Sequence, residues 1–219
     1  MTHEERLRVF HQADLYVVIT EALCAGRSAL EILDMTLAAG VRLVQLREKD
    51  LNGRALFELA GEFRRRTEEA GALLIINDRL DIALAAGADG VHLGEDDLPV
   101  RVARNLAPEL IIGASTHSLE EALAAQDAGA SYVNIGPVFA TPTKEAATPL
   151  GPEMIDRIAP KLSIPWTTMG GIKKTNIDQV VKRGARHPAV ITAVTAAPDP
   201  TAAARELRQK IAAGFESHV

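Results

Sequence analysis

The chain has 219 residues, of which 47% are apolar, 24% are charged and only 4% are aromatic. The length suits one large domain or two small ones, and the apolar fraction excludes a disordered or collagen-like chain. The net charge of −5 argues against broad contact with nucleic acid or with an anionic membrane. We therefore expect no nucleic-acid partner and no membrane partner.

The single cysteine, Cys24, excludes an internal disulfide and any multi-cysteine metal site, and it favours a cytoplasmic location. Residues 1–13 are charged and lack the apolar region of a signal peptide. They predict a short amphipathic helix that packs against the first strand of the domain.

A pattern of glycine followed by apolar residues recurs along the chain. In each copy a helix-like segment ends in Gly, and a short apolar run follows. Gly readily adopts the left-handed backbone that ends many helices, and a continuous apolar run is typical of a buried parallel strand. The five copies contain Gly40, Gly71, Gly87, Gly129 and Gly184. With the remaining segments, the sequence predicts strands at 14–20, 41–47, 72–77, 88–93, 110–115, 131–136, 163–169 and 188–193, and helices at 28–39, 52–70, 79–86, 99–107, 118–128, 151–159, 173–183 and 200–214.

Eight strands, each followed by a helix, predict an α/β fold, a single (β/α)8 TIM barrel that occupies residues 1–219. The alternative is a doubly wound open sheet. That fold usually carries a glycine-rich phosphate loop after its first strand. Here the first predicted strand runs into Thr20, Glu21 and Ala22, and no such loop follows. The barrel is therefore the favoured architecture.

Unusual polar residues follow the predicted strands, at the end of a barrel where active sites lie. In the second strand Gln45, Arg47 and Lys49 are two residues apart and share one face, so an amide and two cations point to the barrel mouth. Asp78 and Asp97 follow the next two strands, and with substrate phosphate oxygens they would suit Mg²⁺. For Arg47 the alternative is an ion pair at the rim, for Asp78 a helix N-cap and for Asp97 a solvated loop.

A second anion site is indicated near the last strands. Barrels commonly bind phosphate after their seventh and eighth strands, where this chain has Gly170, Gly171 and Thr192. The glycine pair alone is also consistent with a tight turn. The loop after the sixth strand adds Thr141, Thr143 and Lys144. Of the histidines, His92 is expected to be packed or at the rim, His117 to cap a helix, and His3 and His187 to be on the surface.

Short motifs in this order resemble the thiamine-phosphate synthase family. They are LCAGR (23–27), VQLREK (44–49), INDR (76–79), GVHLGEDD (90–97), GASTHS (113–118), GPVFATPTK (136–144) and MGGI (169–172). The resemblance implies a transferase that joins 4-amino-2-methyl-5-hydroxymethylpyrimidine diphosphate to 4-methyl-5-(2-phosphooxyethyl)thiazole, with Mg²⁺ as cofactor. The products would be thiamine phosphate and diphosphate.

The resemblance also implies residue roles. Asp78 and Asp97 would bind Mg²⁺, and Gln45 and Asn77 would contact the aminopyrimidine. The diphosphate would be held by Arg47, Lys49, Ser115 and Lys144. The thiazole phosphate would be surrounded by Thr141, Thr143, Gly171, Ile191 and Thr192. The loop 137–150 is expected to close over the substrates.

The chain departs from the family pattern in two places. Glu95 replaces a common Gln and adds a negative charge near the diphosphate, and Arg186-His187-Pro188 replaces Ala-Asp-Gly before the last strand.

The alternative function is the related thiazole tautomerase, with His117 transferring a proton. A sugar-phosphate isomerase would need a carboxylate or Lys base at a strand end, and a non-catalytic thiamine phosphate sensor would not need Asp78, Asp97 and Lys144. The sequence leaves open whether the chain forms a homo-oligomer.

Overall fold

Eight parallel strands form one sheet in the computed structural model, which describes residues 1–141 and 148–216. The strands are β1 (Tyr16–Ile19), β2 (Leu43–Leu46), β3 (Leu73–Asn77), β4 (Gly90–Leu93), β5 (Ile111–Thr116), β6 (Tyr132–Ile135), β7 (Trp166–Thr168) and β8 (Ala189–Val190). Neighbours in sequence pair in parallel, and β8 returns to pair with β1. A parallel bridge between Thr168 and Pro188 joins the two ends of the sheet. The predicted (β/α)8 barrel is confirmed.

Helices surround the strands. In the described residues they are α1 (His3–Gln12), α2 (Ala29–Ala38), α3 (Gly53–Glu69), α4 (Leu80–Ala85), α5 (Val100–Leu106), α6 (Leu119–Asp127), α7 (Met154–Ile158), α8 (Ile177–Val181), α9 (Thr192–Thr195) and α10 (Pro200–Glu216). Ser28, Asn52 and Ser118 cap three of them by accepting a backbone N–H three residues on. None of the helices in the described ranges is long and apolar enough to span a membrane.

Two apolar layers hold the barrel together, because alternate residues of each strand face opposite sides. Outward residues such as Val44 and Leu46 pack under the helices, in the larger of the two clusters. Inward residues such as Val18 and Leu43 fill the barrel, together with the aromatic rings of Phe10, Tyr16 and Tyr132. Both strand faces are thus buried, which explains why the strands read as continuous apolar runs.

The helix α1 closes the barrel at the amino ends of the strands. It packs near β3 and β5, and its Phe10 also belongs to the inner core cluster that contains Tyr16 and Val18 of β1. Its Phe10 is fully buried and stacks on Tyr132, with ring centroids 4.9 Å apart. His187 lies at the same 4.9 Å distance from Phe10 and is only 4% exposed, so its predicted surface position is wrong. Packing on α1 accounts for this burial.

Several predicted boundaries near the carboxyl end of the chain need correction. The last strand was predicted at 188–193, but Ile191 has ψ −92°, which is not extended, and α9 begins at Thr192. The helix predicted at 173–183 starts only at Ile177, because the Asn176 side chain accepts the Lys173 N–H and forms a turn first. Likewise α7 begins at Met154, after Gly151 with φ +80°.

Candidate active site

A cavity of about 440 Å³ lies at the carboxyl ends of the strands. Every predicted site residue in the described part of the chain lines it. These residues are Gln45, Arg47, Lys49, Asn77, Asp78, Asp97, Ser115, Thr141, Gly171, Ile191 and Thr192. Thr143, Lys144 and the middle of the loop 137–150 lie outside the described residues.

Charged groups of opposite sign meet on the β2–β4 side of the cavity. The Lys49 Nζ lies 3.2 Å from Asp78 Oδ2. Asp97 Oδ2 accepts the Gly94 N–H at 2.7 Å. Burial raises the pKa of Asp97, and the neighbouring Asp78 carboxyl raises it further, whereas the Gly94 N–H and Lys49 act in the opposite direction. The Asp78 carboxyl therefore disfavours the charged form of Asp97, and a cation beside Asp97 would favour it.

The backbone at Asp78 is in the left-handed region, with φ +63°, which is uncommon for a residue with a side chain. Its N–H donates to the carbonyl of His92 at 2.8 Å, which ties the end of β3 to β4. The alternative that Asp78 caps a helix is wrong, because the N-cap of α4 is Arg79 and makes no side-chain cap bond. The left-handed turn instead leaves the Asp78 carboxylate in the cavity lining.

The donors present fit Mg²⁺. This ion usually takes one or two carboxylates from the protein and completes its shell with substrate phosphates and water. Asp78 and Asp97 could supply the carboxylates, and no group of three or more His, Cys, Asp or Glu that could hold a metal occurs within the described ranges. A site of this kind is completed only when a phosphorylated substrate is bound.

Buried polar side chains form the floor of the cavity. Gln45 Nε2 donates to the Tyr16 hydroxyl at 2.6 Å, and that hydroxyl lies 3.0 Å from the Tyr132 hydroxyl. The chain continues from Tyr132 to His92 Nδ1 at 2.9 Å and from His92 Nε2 to Ser115 Oγ at 3.0 Å. Burial lowers the pKa of His92 to about 4, so its imidazole is neutral at physiological pH. His92 is a packed residue, as predicted.

Sequence reasoning missed Tyr16, Tyr132 and Asn134. The Asn134 Oδ1 accepts the Thr167 hydroxyl at 3.0 Å, and Asn134 lines the cavity beside Ser115, its partner in the strand register. For Tyr16, strand alternation indicates an inward-facing side chain, because Tyr16 lies two residues before Val18, the register partner of Gln45.

The opposite side of the cavity is built from glycines and backbone. Gly170 and Gly171 have φ +106° and +61°, and a Cβ on Gly171 would overlap the carbonyl oxygen of Ala140. The Phe139 N–H donates to the Gly170 carbonyl at 3.0 Å, and Asn176 Nδ2 donates to the Gly171 carbonyl at 2.9 Å. This close approach of two loops places the glycine pair beside Ile191 and Thr192 in the cavity wall.

His117 and Glu95 also line the cavity. His117 Nδ1 lies 3.1 Å from Glu121 Oε2, and the same oxygen accepts the His117 N–H at 2.7 Å. The N-cap of α6 is Ser118, so His117 does not cap this helix with its own side chain. Glu95 is exposed and belongs to the cavity lining.

These features define a class of protein. A (β/α)8 barrel with cations and paired carboxylates on one side of its mouth, and a glycine pair after β7 on the other, is an enzyme barrel for phosphorylated substrates.

The comparisons identify the family within this class. The family model described as thiamine monophosphate synthase matches residues 15–194, and the chain belongs to this family.

Relatives extend over nearly the whole chain. A thiamine-phosphate synthase of Chloroflexus aurantiacus is 47% identical over 195 residues, which cover 89% of this chain and 90% of the relative. One of Moorella thermoacetica is 47% identical over 202 residues, covering 91% and 96%. Among solved structures, the thiamine phosphate pyrophosphorylase of Pyrococcus furiosus superposes with a TM-score of 0.87 at 39% identity, covering 93% of this chain and 98% of that one. The chain is accordingly a transferase of the thiamine-phosphate synthase type.

Proposed function

We propose that the protein condenses the pyrimidine diphosphate with the thiazole phosphate and releases thiamine phosphate and diphosphate. The observation that carries the proposal is the two-sided cavity. Lys49, Asp78 and Asp97 crowd one side, and Gly170 and Gly171 form a backbone wall on the other. One side suits a metal-bound diphosphate and the other a monophosphate, and the two substrates require both.

The residues divide between the two substrates in this proposal. Gln45 and Asn77 would hold the aminopyrimidine on the cavity floor, where Gln45 is only 1% exposed. The diphosphate would lie against Arg47, Lys49 and Ser115, with Lys144 from the loop. The thiazole phosphate would be bound by Thr141, Thr143, Gly171, Ile191 and Thr192.

Asp78 and Asp97 would hold Mg²⁺ at the diphosphate. When bound, the ion would neutralise charge on the leaving group. Lys49 pairs with Asp78 in the structure, so it is placed to move its charge to the diphosphate once a metal takes the carboxylate. The exposed Glu95 adds negative charge at the cavity mouth. Its repulsion of the diphosphate would be screened by solvent, so it would weaken binding only slightly.

The chemistry we propose is dissociative. The aminopyrimidine donates electrons as the bond between its methylene carbon and the diphosphate oxygen breaks. The thiazole nitrogen then forms the new bond to that carbon, so no strong general base is needed. The protein's task is to stabilise the leaving diphosphate with Arg47, Lys49 and Ser115 and to shelter the electron-poor pyrimidine on the buried floor.

Product formation tests the proposal. Wild-type protein mixed with both substrates and Mg²⁺ should give thiamine phosphate and diphosphate in equal amounts, and chelation of Mg²⁺ should stop turnover. Lys49→Met should lose activity, while the matched variant Lys161→Met, at the exposed end of a short 3-10 helix outside the cavity lining, should not. Isomerisation of a thiazole phosphate without coupling, abolished by His117→Asn, would instead establish the tautomerase alternative.

A cytoplasmic location is also part of the proposal. Cys24 is a free, buried thiol whose Sγ donates to the Thr20 carbonyl at 3.2 Å. Burial, together with the charges of Glu48 and Glu21, raises its pKa to about 11, which keeps it protonated and unreactive. An unpaired cysteine of this kind suits a reducing compartment.

A further inference from the structure

A continuous hydrogen-bond chain crosses the barrel beneath the cavity. It runs through Gln45, Tyr16, Tyr132, His92 and Ser115, with four links of 2.6, 3.0, 2.9 and 3.0 Å. Its two ends, Gln45 on β2 and Ser115 on β5, both line the cavity. The three inner side chains are almost fully buried. Water therefore does not compete for these bonds, and each proton is placed by its neighbours.

The donors and acceptors along the chain can be assigned from one end. Gln45 Nε2 donates to the Tyr16 oxygen, and the Tyr132 oxygen is the acceptor within reach of the Tyr16 proton, so this buried proton is paired when it points to Tyr132. The Tyr132 oxygen then accepts from Tyr16 and sends its proton to His92 Nδ1. A neutral imidazole that accepts at Nδ1 carries its proton on Nε2, and Nε2–H donates to Ser115 Oγ.

We propose that this hydrogen-bond chain decides which group each of its two ends presents to the bound substrate. Ser115 presents its hydroxyl proton as a donor, and Gln45 presents its Oε1 as an acceptor. Tyr16, Tyr132 and His92 are positioning residues for this purpose. Because Ser115 Oγ already accepts from His92, its own O–H is left to donate into the cavity. Because one Nε2–H of Gln45 is held by Tyr16, the amide cannot turn over, and its Oε1 is the acceptor offered to the substrate.

The barrel interior is shaped around these bonds. A Cβ at Gly113 would overlap the Tyr132 hydroxyl and come within 2.6 Å of His92 Nδ1. His92 and Tyr132 stack with ring centroids 5.6 Å apart, and the Tyr16 and Tyr132 rings meet edge to face at 6.3 Å. Packing thus holds each hydroxyl and the imidazole in the orientation that the chain requires.

The polarity matches the substrates of the proposed function, on which this step rests. A leaving diphosphate gains negative charge as its bond breaks, so a donor at Ser115 stabilises the transition state. The exocyclic amino group of the pyrimidine is a donor, so an acceptor at Gln45 is complementary to it. If every hydrogen bond in the chain ran in the opposite direction, Gln45 would present a donor to the amino group and Ser115 would lose its donor to the diphosphate.

The first experiment reads the proton position directly. Nitrogen-15 NMR of the unliganded wild-type protein, with the His92 signals assigned by through-space contacts to the Tyr132 ring, distinguishes the two neutral tautomers. The proposal requires the proton on Nε2 of His92. A proton on Nδ1, or a mixture of both forms, overturns it, since either means that Gln45 does not set the direction of the chain.

The second experiment tests whether Tyr132 acts through Ser115. We expect Tyr132→Phe to lower kcat about tenfold with little change in KM, and the same change to have less than a twofold effect in a Ser115→Ala background. Thr67→Val, which removes a buried hydroxyl bonded to the Phe63 carbonyl in α3, is the matched control and should leave kcat unchanged. Equal losses in both backgrounds would show a merely structural role and overturn the proposal.

The two proposals fail separately. The tautomer measurement needs no substrate, so it remains decisive if the wild-type protein makes no thiamine phosphate or if Tyr132→Phe does not fold. An active wild-type protein with His92 protonated on Nδ1 would retain the proposed function and refute the chain polarity.

Discussion

Comparing Gly171→Ala with Gly87→Ala distinguishes the effect of backbone strain from the effect of a steric clash in the candidate site. Gly171 has φ +61°, and Gly87, after α4, has φ +65°. An Ala at either position meets the same left-handed backbone penalty of about 1–2 kcal/mol. A Cβ at Gly87 has nothing within 4 Å, whereas a Cβ at Gly171 would overlap the Ala140 carbonyl and lie 2.9 Å from Phe139 Cβ. Gly87→Ala is therefore a matched control.

The sizes of the two effects follow from this difference. For a chain of this length, 1–2 kcal/mol lowers Tm by about 2–8 °C, which is the full effect expected for Gly87→Ala. In Gly171→Ala the segment at Ala140 must also move by about 1 Å, and a displacement of that size can lower activity about 100-fold. We expect this loss in kcat/KM for the thiazole phosphate.

The assay is steady-state formation of thiamine phosphate, with each substrate varied in turn, well below the Tm of both variants. Thermal unfolding supplies the stability of each variant. If Gly171→Ala kept the activity of Gly87→Ala, the close contact between the two loops would have no part in binding, and the assignment of the thiazole phosphate to Gly171 would be wrong.

Three further predictions test other parts of the molecule. Asp78→Asn should lower kcat at least tenfold and raise the Mg²⁺ concentration needed for half-maximal turnover. The control is Asp81→Asn, which replaces an exposed carboxylate paired with Arg79 and should change neither quantity. Unchanged Mg²⁺ dependence in Asp78→Asn would contradict the metal assignment. Phe10→Ala should lower the free energy of unfolding by about 3–5 kcal/mol because it leaves a cavity in the closed end of the barrel, and Phe57→Ala, a residue 43% exposed, should have a much smaller effect in the same denaturant titration. Burial lowers the pKa of His187 from 6.5 to about 4, so between these pH values the unfolded chain binds a proton that the folded protein does not. The free energy of unfolding should therefore fall as the pH drops from 6.5 to 4, by at most about 1.4 kcal/mol per pH unit. His187→Phe should flatten this part of the stability profile, and an unchanged slope would show that His187 does not titrate as inferred.

Much of the barrel was predictable because its signals are local. Each of Gly40, Gly71, Gly87, Gly129 and Gly184 does have positive φ, as the helix–glycine–strand pattern requires. The site was predictable for a related reason. Residues that follow parallel strands meet at one end of a barrel, so strand assignment alone brings Asp78, Asp97 and Ser115 together.

The remaining features depend on contacts between distant parts of the chain. The Tyr16 and Tyr132 hydroxyls meet across 116 residues of sequence, and no local pattern indicates this. His187 looks like a surface residue in its own segment, but its ring lies against Phe10 from the other end of the chain. The end of β8 was misplaced for a comparable reason, since an apolar residue such as Ile191 suits a strand and the entrance to a short helix equally well.

The closure of the barrel has a consequence for ligand binding. Between β7 and β8 the described residues show a single parallel bridge, from Thr168 to Pro188, and β8 itself has two residues, so this is the least hydrogen-bonded seam of the cylinder. Gly171 follows one side of the seam and Thr192 the other. A phosphate held by both would link the two edges, so its binding energy would add to the stability of the closed barrel. Amide hydrogen exchange along this seam should then slow more on ligand binding than exchange elsewhere in the sheet.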